Sequence, residues 1–454
     1  MLRTVCSLIM VVGAAYLILV VGSRGPRTNA RTLWVDDDGT VGAAAASCDG
    51  PDPAYIRIQA AIEAAEDGDE IRICPGVYRE QITIRRNYLT VRSVDGSAVD
   101  ASPDTILLPE ELDPAGVWIL GDGNVLEGLV IQDTAAGPPH PGHLHQLIRV
   151  GGDRNTVRRN RLIGRGPAGP ADIGIEVHGG DVGNGVAERN EIVENEILNV
   201  FGHALRVQSL ARDRAAYWTV VTGNRIHDNP GNGITVDRSP ATRVERNVLS
   251  RNGVALVFHS EPSFPAIETV FRCNQVVGNR AGARNTATDG SVMRAEYNWW
   301  GNEDGPRHDL RNSGGGGDAV GDNVAFRPWL TAPPEGTCPL LRVRIDVMPG
   351  DASNRIRPAS HTLIPVALLS GPSFAPLAEV DRDRLRLGAT GGESPVVGCN
   401  SLAGDLNGDG IGDLVCYFRS ELTGLGPDHR VARLQGQTLE GIAIEGQDAV
   451  EILP

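Results

Sequence analysis

The sequence predicts an all-β chain wound as a parallel β-helix and followed by a small β-sandwich-like domain. Two observations carry the helix. The pattern apolar-x-x-Asn-x-apolar recurs at Val157-Asn160-Leu162, Ile192-Asn195-Ile197, Val221-Asn224-Ile226, Val244-Asn247-Leu249 and Phe271-Asn274-Val276, with successive Asn residues 23 to 35 positions apart, the spacing of a solenoid. Ahead of each Asn lies a second run that alternates apolar with variable residues: Ile148-Val150, Ile175-Val177, Leu205-Val207, Ile234-Val236 and Leu256-Phe258. Period two denotes strands. Several short strands per repeat, with Gly or Asn at the corners, describe coils whose like strands stack in parallel.

Weaker copies flank the five. Val125-Gly128-Val130 has Gly for Asn, and Ala295-Asn298-Trp300 keeps the Asn. An Asn at a fixed place in successive coils can donate and accept along the axis, so the expected role of these residues is structural.

From the N-terminus, residues 1–30 read as an export signal: Arg3 is followed by the apolar run Val5 to Val21, with Thr28-Asn29-Ala30 as a small-residue cleavage site. The same run retained uncleaved would be a membrane anchor, the one membrane contact expected. The protein is therefore expected to be secreted or at the cell surface by bacterial-type export. Ile58, Ala61, Ile62 and Ala65 share one helical face, so residues 56–66 form a short N-terminal capping helix over the first coil. The β-helix spans 31–330, with Trp299, Trp300 and Trp329 closing its far end or offering stacking faces to sugars. Residues 331–340 read as a linker and 341–454 as the C-terminal β domain.

The 454 residues carry a net charge of −15, which argues against nucleic acid as a partner. All 42 basic residues are Arg, so no mechanism can use a Lys base or Schiff base. Beyond the signal lie Cys48, Cys74, Cys273, Cys338, Cys399 and Cys416. Local pairing joins Cys48 to Cys74 and Cys399 to Cys416, with Cys273 and Cys338 left to pair or stay free.

The repeats, with Ile58-Gln59-Ala60-Ala61-Ile62, Gly68-Asp69-Glu70-Ile71 and Pro75-Gly76-Val77-Tyr78, resemble the right-handed parallel β-helix proteins of the pectin-lyase-like superfamily. Asn298-Trp299-Trp300-Gly301 with Gly305-Pro306 resembles a recurrent ending of such secreted helices. The resemblance covers about two thirds of the chain. It implies fold more than function, because the superfamily hosts lyases, hydrolases, esterases, epimerases and proteins of no known activity. The C-terminal segment resembles a module of secreted bacterial proteins through Ile345-Asp346, Pro349-Gly350, Ile364-Pro365-Val366-Ala367-Leu368-Leu369 and an Asp-x-Asn-Gly-Asp-Gly loop.

That loop is the sharpest chemical motif. Asp405, Asn407, Asp409 and Asp413 take positions 1, 3, 5 and 9 of a calcium loop, Gly410 the tight turn, and Ile411 a carbonyl ligand position. Cys416 stands where the bidentate Glu belongs, so a further ligand must come from Glu421 or water. Calcium is the expected cofactor. The alternative is a polar Asx-rich turn.

Outward positions of the upstream strands form a polar strip: Arg149, Glu176, Arg206, Thr235 and Val257 in one column, and Gly151, His178, Gln208, Asp237 and His259 in the next. Alternating Arg and Glu can be a charge ladder of little value to folding. The resemblance implies instead a substrate groove along such a face. Arg149, Glu176 and Gln208 would bind the chain, and His178, Arg206, Asp237 and His259 would carry chemistry. Glu176 and Asp237 stand about 11 to 12 Å apart by strand spacing, slightly too far for a hydrolytic pair. Elimination needs a cation on a uronate carboxylate and a base for the neighbouring C–H, which Arg and His supply. The insertion His140-Pro141-Gly142-His143-Leu144-His145 overhangs the strip and is either a loop or a transition-metal site.

Two functions follow. One is a secreted monomer that binds, and as a lyase cleaves, an extracellular and acidic polysaccharide. The other is a non-catalytic surface or matrix protein with a calcium-stiffened C-terminal module.

Overall fold

The computed structural model describes residues 30–37, 48, 55–94, 105–109, 112, 115–134, 145–168, 171–180, 185–334, 340–371, 374–400, 404–439 and 442–453. Residues 1–29 of the export segment, His140, His143 and Cys338 lie outside them.

The coils stack into three parallel sheets of eleven, eight and eight strands. The first begins at Thr32–Val35 and ends at Val324–Ala325, and it carries the apolar residue ahead of each Asn. There Val157, Ile192, Val221, Val244 and Phe271 face one another in register. The second sheet carries the apolar residue after the Asn: Leu162, Ile197, Ile226, Leu249 and Val276. All ten are fully buried, so the period-two pattern has one face in the core and the other outside.

The Asn residues sit at the corner between these sheets. Each donates its backbone N–H and side-chain amide to the Oδ1 of the next, from Asn160 through Asn195, Asn224, Asn247 and Asn274 to Asn298. The residue before each Asn is left-handed (Arg159, Glu194, Gly223, Arg246, Cys273, Tyr297), which turns the chain sharply into the second sheet. Two further ladders occupy the other corners. Asn124, Asn155 and Asn190 form one, and Asn229, Asn252, Asn279 and Asp318 the other.

A helix at Ile58–Ala64 closes the first coil, with Ile58, Ala61, Ile62 and Ala65 in the core. Its first amides, Ile58 and Gln59, donate to the two carboxylate oxygens of Glu80 at 2.8 and 2.9 Å, so a neighbouring coil caps the helix. At the other end Trp300 and Trp329 are buried in the helix core, and Trp299 packs into the C-terminal cluster. They close the coil stack.

Among the described residues the C-terminal domain is β-rich as expected, with an eight-stranded, mainly antiparallel sheet and a two-stranded one that pairs Arg355–Ile356 with Glu451–Ile452. The segment 340–347 lies at both edges: Leu340–Arg342 pairs with Ala443–Glu445, and Ile345–Val347 with Val366–Leu368. The sheet thus curls around a single apolar core. Gly446 allows this, since a Cβ there would stand 2.6 Å from the Ile345 side chain. Tyr297 and Leu330 of the last coils belong to that core, and the Tyr297 hydroxyl donates to Glu379 at 2.9 Å. The Cys48–Cys74 and Cys399–Cys416 disulfides are both formed. Cys273 is also disulfide-bonded.

Candidate functional site

The third sheet carries the strip on His145–Val150, Ala171–His178, His203–Gln208, Asn232–Asp237 and Val254–His259. Register aligns Arg149, Glu176, Arg206, Thr235 and Val257 in one column, and His178, Gln208, Asp237 and His259 in another. The two columns read from the sequence are adjacent here. A third column, Gln146, Ile173, His203, Asn232 and Val254, completes the face.

The third column departs from strict alternation. Ala204 and Leu205 are consecutive and both lie in the core, as do Ala255 and Leu256. Two inward residues in succession reverse the parity upstream, so His203 faces the strip although it shares parity with the core residue Leu205. A small residue is required at the bend. At Gly174, in register just ahead of Ala204, a Cβ would stand 2.5 Å from the Ala204 carbonyl oxygen.

Most of the strip's charges are paired. The chain runs from Arg149 to Glu176 (3.7 Å), Glu176 to Arg206 (3.7 Å), Arg206 to Asp237 (3.3 Å), Asp237 to Arg238 (2.9 Å), Arg238 to Glu261 (3.5 Å) and Glu261 to His259 (3.1 Å). Glu176, outward on its strand, is nevertheless 1% exposed. Gln146 donates to it at 2.7 Å, and Gln208 donates to Asp237 at 3.0 Å. The outward Arg206 is thus paired with a buried carboxylate rather than with an exposed one.

The histidines differ in their commitments. The Arg149 guanidinium donates to His178 Nδ1 at 2.9 Å, using that nitrogen's lone pair. His259 Nδ1 meets the Thr286 carbonyl at 2.9 Å and its Nε2 meets Glu261 at 3.1 Å. The hydrogen bond from His259 and the nearby Arg238 hold the Glu261 carboxyl below its ordinary range. His203 Nδ1 pairs with Thr235 Oγ1 at 2.8 Å. Burial first, and the Arg206 charge second, push its pKa down to about 4.

In the C-terminal loop, Asp405 turns inward on its own backbone, accepting from Gly408, Asp409 and Gly410. Asp409, the Ile411 carbonyl and Asp413 instead converge on Ser370 Oγ at 3.1, 3.2 and 2.7 Å. Asn407 donates to the Ser370 carbonyl at 2.9 Å. Among the described residues no three His, Cys, Asp or Glu side chains gather as a metal cluster. Glu421 pairs with His361 and Arg419, each at 3.7 Å. Cys416 is held in its disulfide.

Residues 115–295 match the family described as right handed beta helix region. No curated protein matches. Among solved structures, a pectate lyase, Pel9A, aligns at 14% identity over 67% of this chain and 80% of its own, with a TM-score of 0.48. DFA-IIIase from Arthrobacter chlorophenolicus A6 aligns at 14% identity over 53% and 62%, with a TM-score of 0.38. Alginate lyase from Paenibacillus sp. str. FPU-7 aligns at 14% over 65% and 99%, with a TM-score of 0.34. The fold assignment rests on the three stacked sheets and the family match. Its three stacked parallel sheets make this part of the chain, from Thr32 to Ala325, a parallel β-helix, and residues 115–295 within it match a right-handed β-helix family.

Proposed function

We propose that this protein is exported and binds an extracellular, carboxylate-bearing polysaccharide along the outer face of the third sheet. The observation that carries the reading is the Arg206 guanidinium, partly exposed and oriented between Glu176 and Asp237, within three columns of mostly polar side chains. A guanidinium held in this way can bind a sugar carboxylate without first losing its own freedom of motion. Gln208 and Asp237 beside it offer a donor and an acceptor for sugar hydroxyls. Two disulfides among the described residues support an oxidising compartment. Affinity electrophoresis of the full chain against carboxylated and neutral polysaccharides tests the reading: retention by a carboxylated polymer, lost at high salt, is expected. No retention by any of them overturns it.

A second reading has its own observation. The charges from Arg149 to Glu261 satisfy one another, as they would in a rigid scaffold with no ligand. Under that reading the C-terminal loop would be the functional element. We propose calcium there under either reading. One hydroxyl has one proton, yet Ser370 Oγ faces Asp409, Ile411 and Asp413 oxygens together. An excess of acceptors about one point suits a hard cation held by oxygen. Asp409, Asp413 and the Ile411 carbonyl would hold it, with the Ser370 hydroxyl oxygen beside them.

A further inference from the structure

We propose that His203, oriented by Thr235 and placed beside Arg206, is the proton-abstracting base of the strip. The inference rests on the glycan-binding reading above and adds the chemistry performed there.

Geometry separates His203 from the two histidines read from the sequence. His178 has given its Nδ1 lone pair to Arg149, and both nitrogens of His259 are engaged by Thr286 and Glu261. For His203, the tautomer that donates Nδ1–H to Thr235 Oγ1 leaves the Nε2 lone pair bare. No hydrogen bond to Nε2 is formed among the described residues. The Asn232 side chain lies 3.4 Å from Nδ1, and its amide oxygen can face that N–H once the amide is turned.

Charge keeps the ring ready to accept a proton. The groups acting on it are Arg206 of its own strand, which opposes protonation, and Asp237 of the next coil, which favours it. Ile173, its register partner on the preceding coil, is uncharged. Burial is the larger effect and Arg206 the second, and together they lower the pKa to about 4. The imidazole is therefore unprotonated near neutral pH, which a base must be.

The step balances as a β-elimination. Arg206 pairs with the uronate carboxylate and stabilises the charge that develops on it. His203 Nε2 takes the proton from the carbon next to that carboxylate. The C–H electron pair becomes a carbon–carbon double bond, and the glycosidic C–O bond one carbon further breaks. The leaving oxygen keeps the bond pair and takes a proton from water, and the imidazolium returns its proton to solvent. No water is consumed and nothing is oxidised. Thr235 is a positioning residue.

The test incubates the full chain with polygalacturonate and alginate, and records the ultraviolet absorbance of new double bonds alongside binding by affinity electrophoresis. The wild type is expected to release unsaturated products. His203→Gln should lose release by roughly 10² to 10⁴-fold, the usual worth of a general base, while binding stays within about threefold. Thr235→Val should lower kcat more than it changes KM. The wild-type rate should hold from neutral pH downward and fall only near pH 4, a readout independent of whether either variant folds. A rate that instead falls near pH 6.5, the ordinary histidine value, overturns the assignment. So does unimpaired release by a folded His203→Gln. Binding without any wild-type release overturns this inference and spares the parent reading; no binding sinks both.

Discussion

Asn224 accepts at one oxygen both the backbone N–H and the side-chain amide of Asn195, at 2.9 and 3.0 Å, and makes the same pair of bonds onward to Asn247, both at 2.9 Å. Both of its neighbours are fully buried. Asn224→Ala strands two donors of Asn195 away from water, at about 1–3 kcal/mol for each buried polar group left unpaired. Urea unfolding should show a loss on the order of 2–4 kcal/mol. An unchanged midpoint would mean that the ladder carries no stability.

This ladder was legible because the Asn recurs with an apolar residue at fixed distance on either side. The other two were not picked out. Asn155 has Gly152 and Asn190 the small Ala187 where the pattern has a large apolar residue, and the corner after the second sheet passes from Asn229, Asn252 and Asn279 to Asp318, a different residue. His203 escaped for another reason. Alternation assigns it to the core, and only the inward pair Ala204-Leu205 turns it outward. The burial of Glu176 was also hidden, since an outward position on a strand says nothing of what lies over it. In the C-terminal domain the strands were readable, but the double edge role of 340–347, which closes the sheet, depends on long-range pairing that no local pattern encodes.

Arg206 offers a way to separate binding from scaffold. Arg206→Ala should abolish retention by carboxylated polysaccharides and also lower stability, because Glu176 loses a cation while nearly inaccessible to water. Removing one partner of a buried pair costs up to about 3–5 kcal/mol, and less here because Arg149 and Gln146 remain. Adding Glu176→Gln removes the uncompensated charge and should recover much of the stability without recovering binding. Binding that returns with stability would show that Arg206 serves only the fold.

Calcium should raise the thermal midpoint of the full chain at about 1 mM, the weak end of loop affinities. Asp409→Ala should abolish the rise, and Ser370→Ala should reduce it while leaving the loop acidic. Burial works to raise the Asp413 pKa, but hydrogen bonds from Ser370, Leu406 and Asn407 outweigh it and hold the carboxyl below its ordinary range. It is therefore ionised for a cation at neutral pH. No change in midpoint with calcium would overturn the metal proposal.

The last prediction concerns pH and uses stability alone. His203 titrates at about 4 in the folded protein against an ordinary value of 6.5, which stands for the unfolded chain. Above about pH 6.5 both states are neutral at this site and it adds no pH dependence. Between 6.5 and 4 the unfolded chain binds a proton that the folded protein refuses, so stability falls as pH falls. The slope approaches about 1.4 kcal/mol per pH unit for one proton. Below about pH 4 both states are protonated and the slope vanishes. His203→Gln removes the site from both states, so the stability difference between wild type and variant should shift against the wild type as the buffer moves from pH 7 to pH 5. Other titrating groups are common to both proteins and cancel in this difference. Urea unfolding at the two pH values measures it. A difference independent of pH would mean that His203 takes its proton as readily folded as unfolded, and the buried, neutral imidazole beside Arg206 would be ruled out.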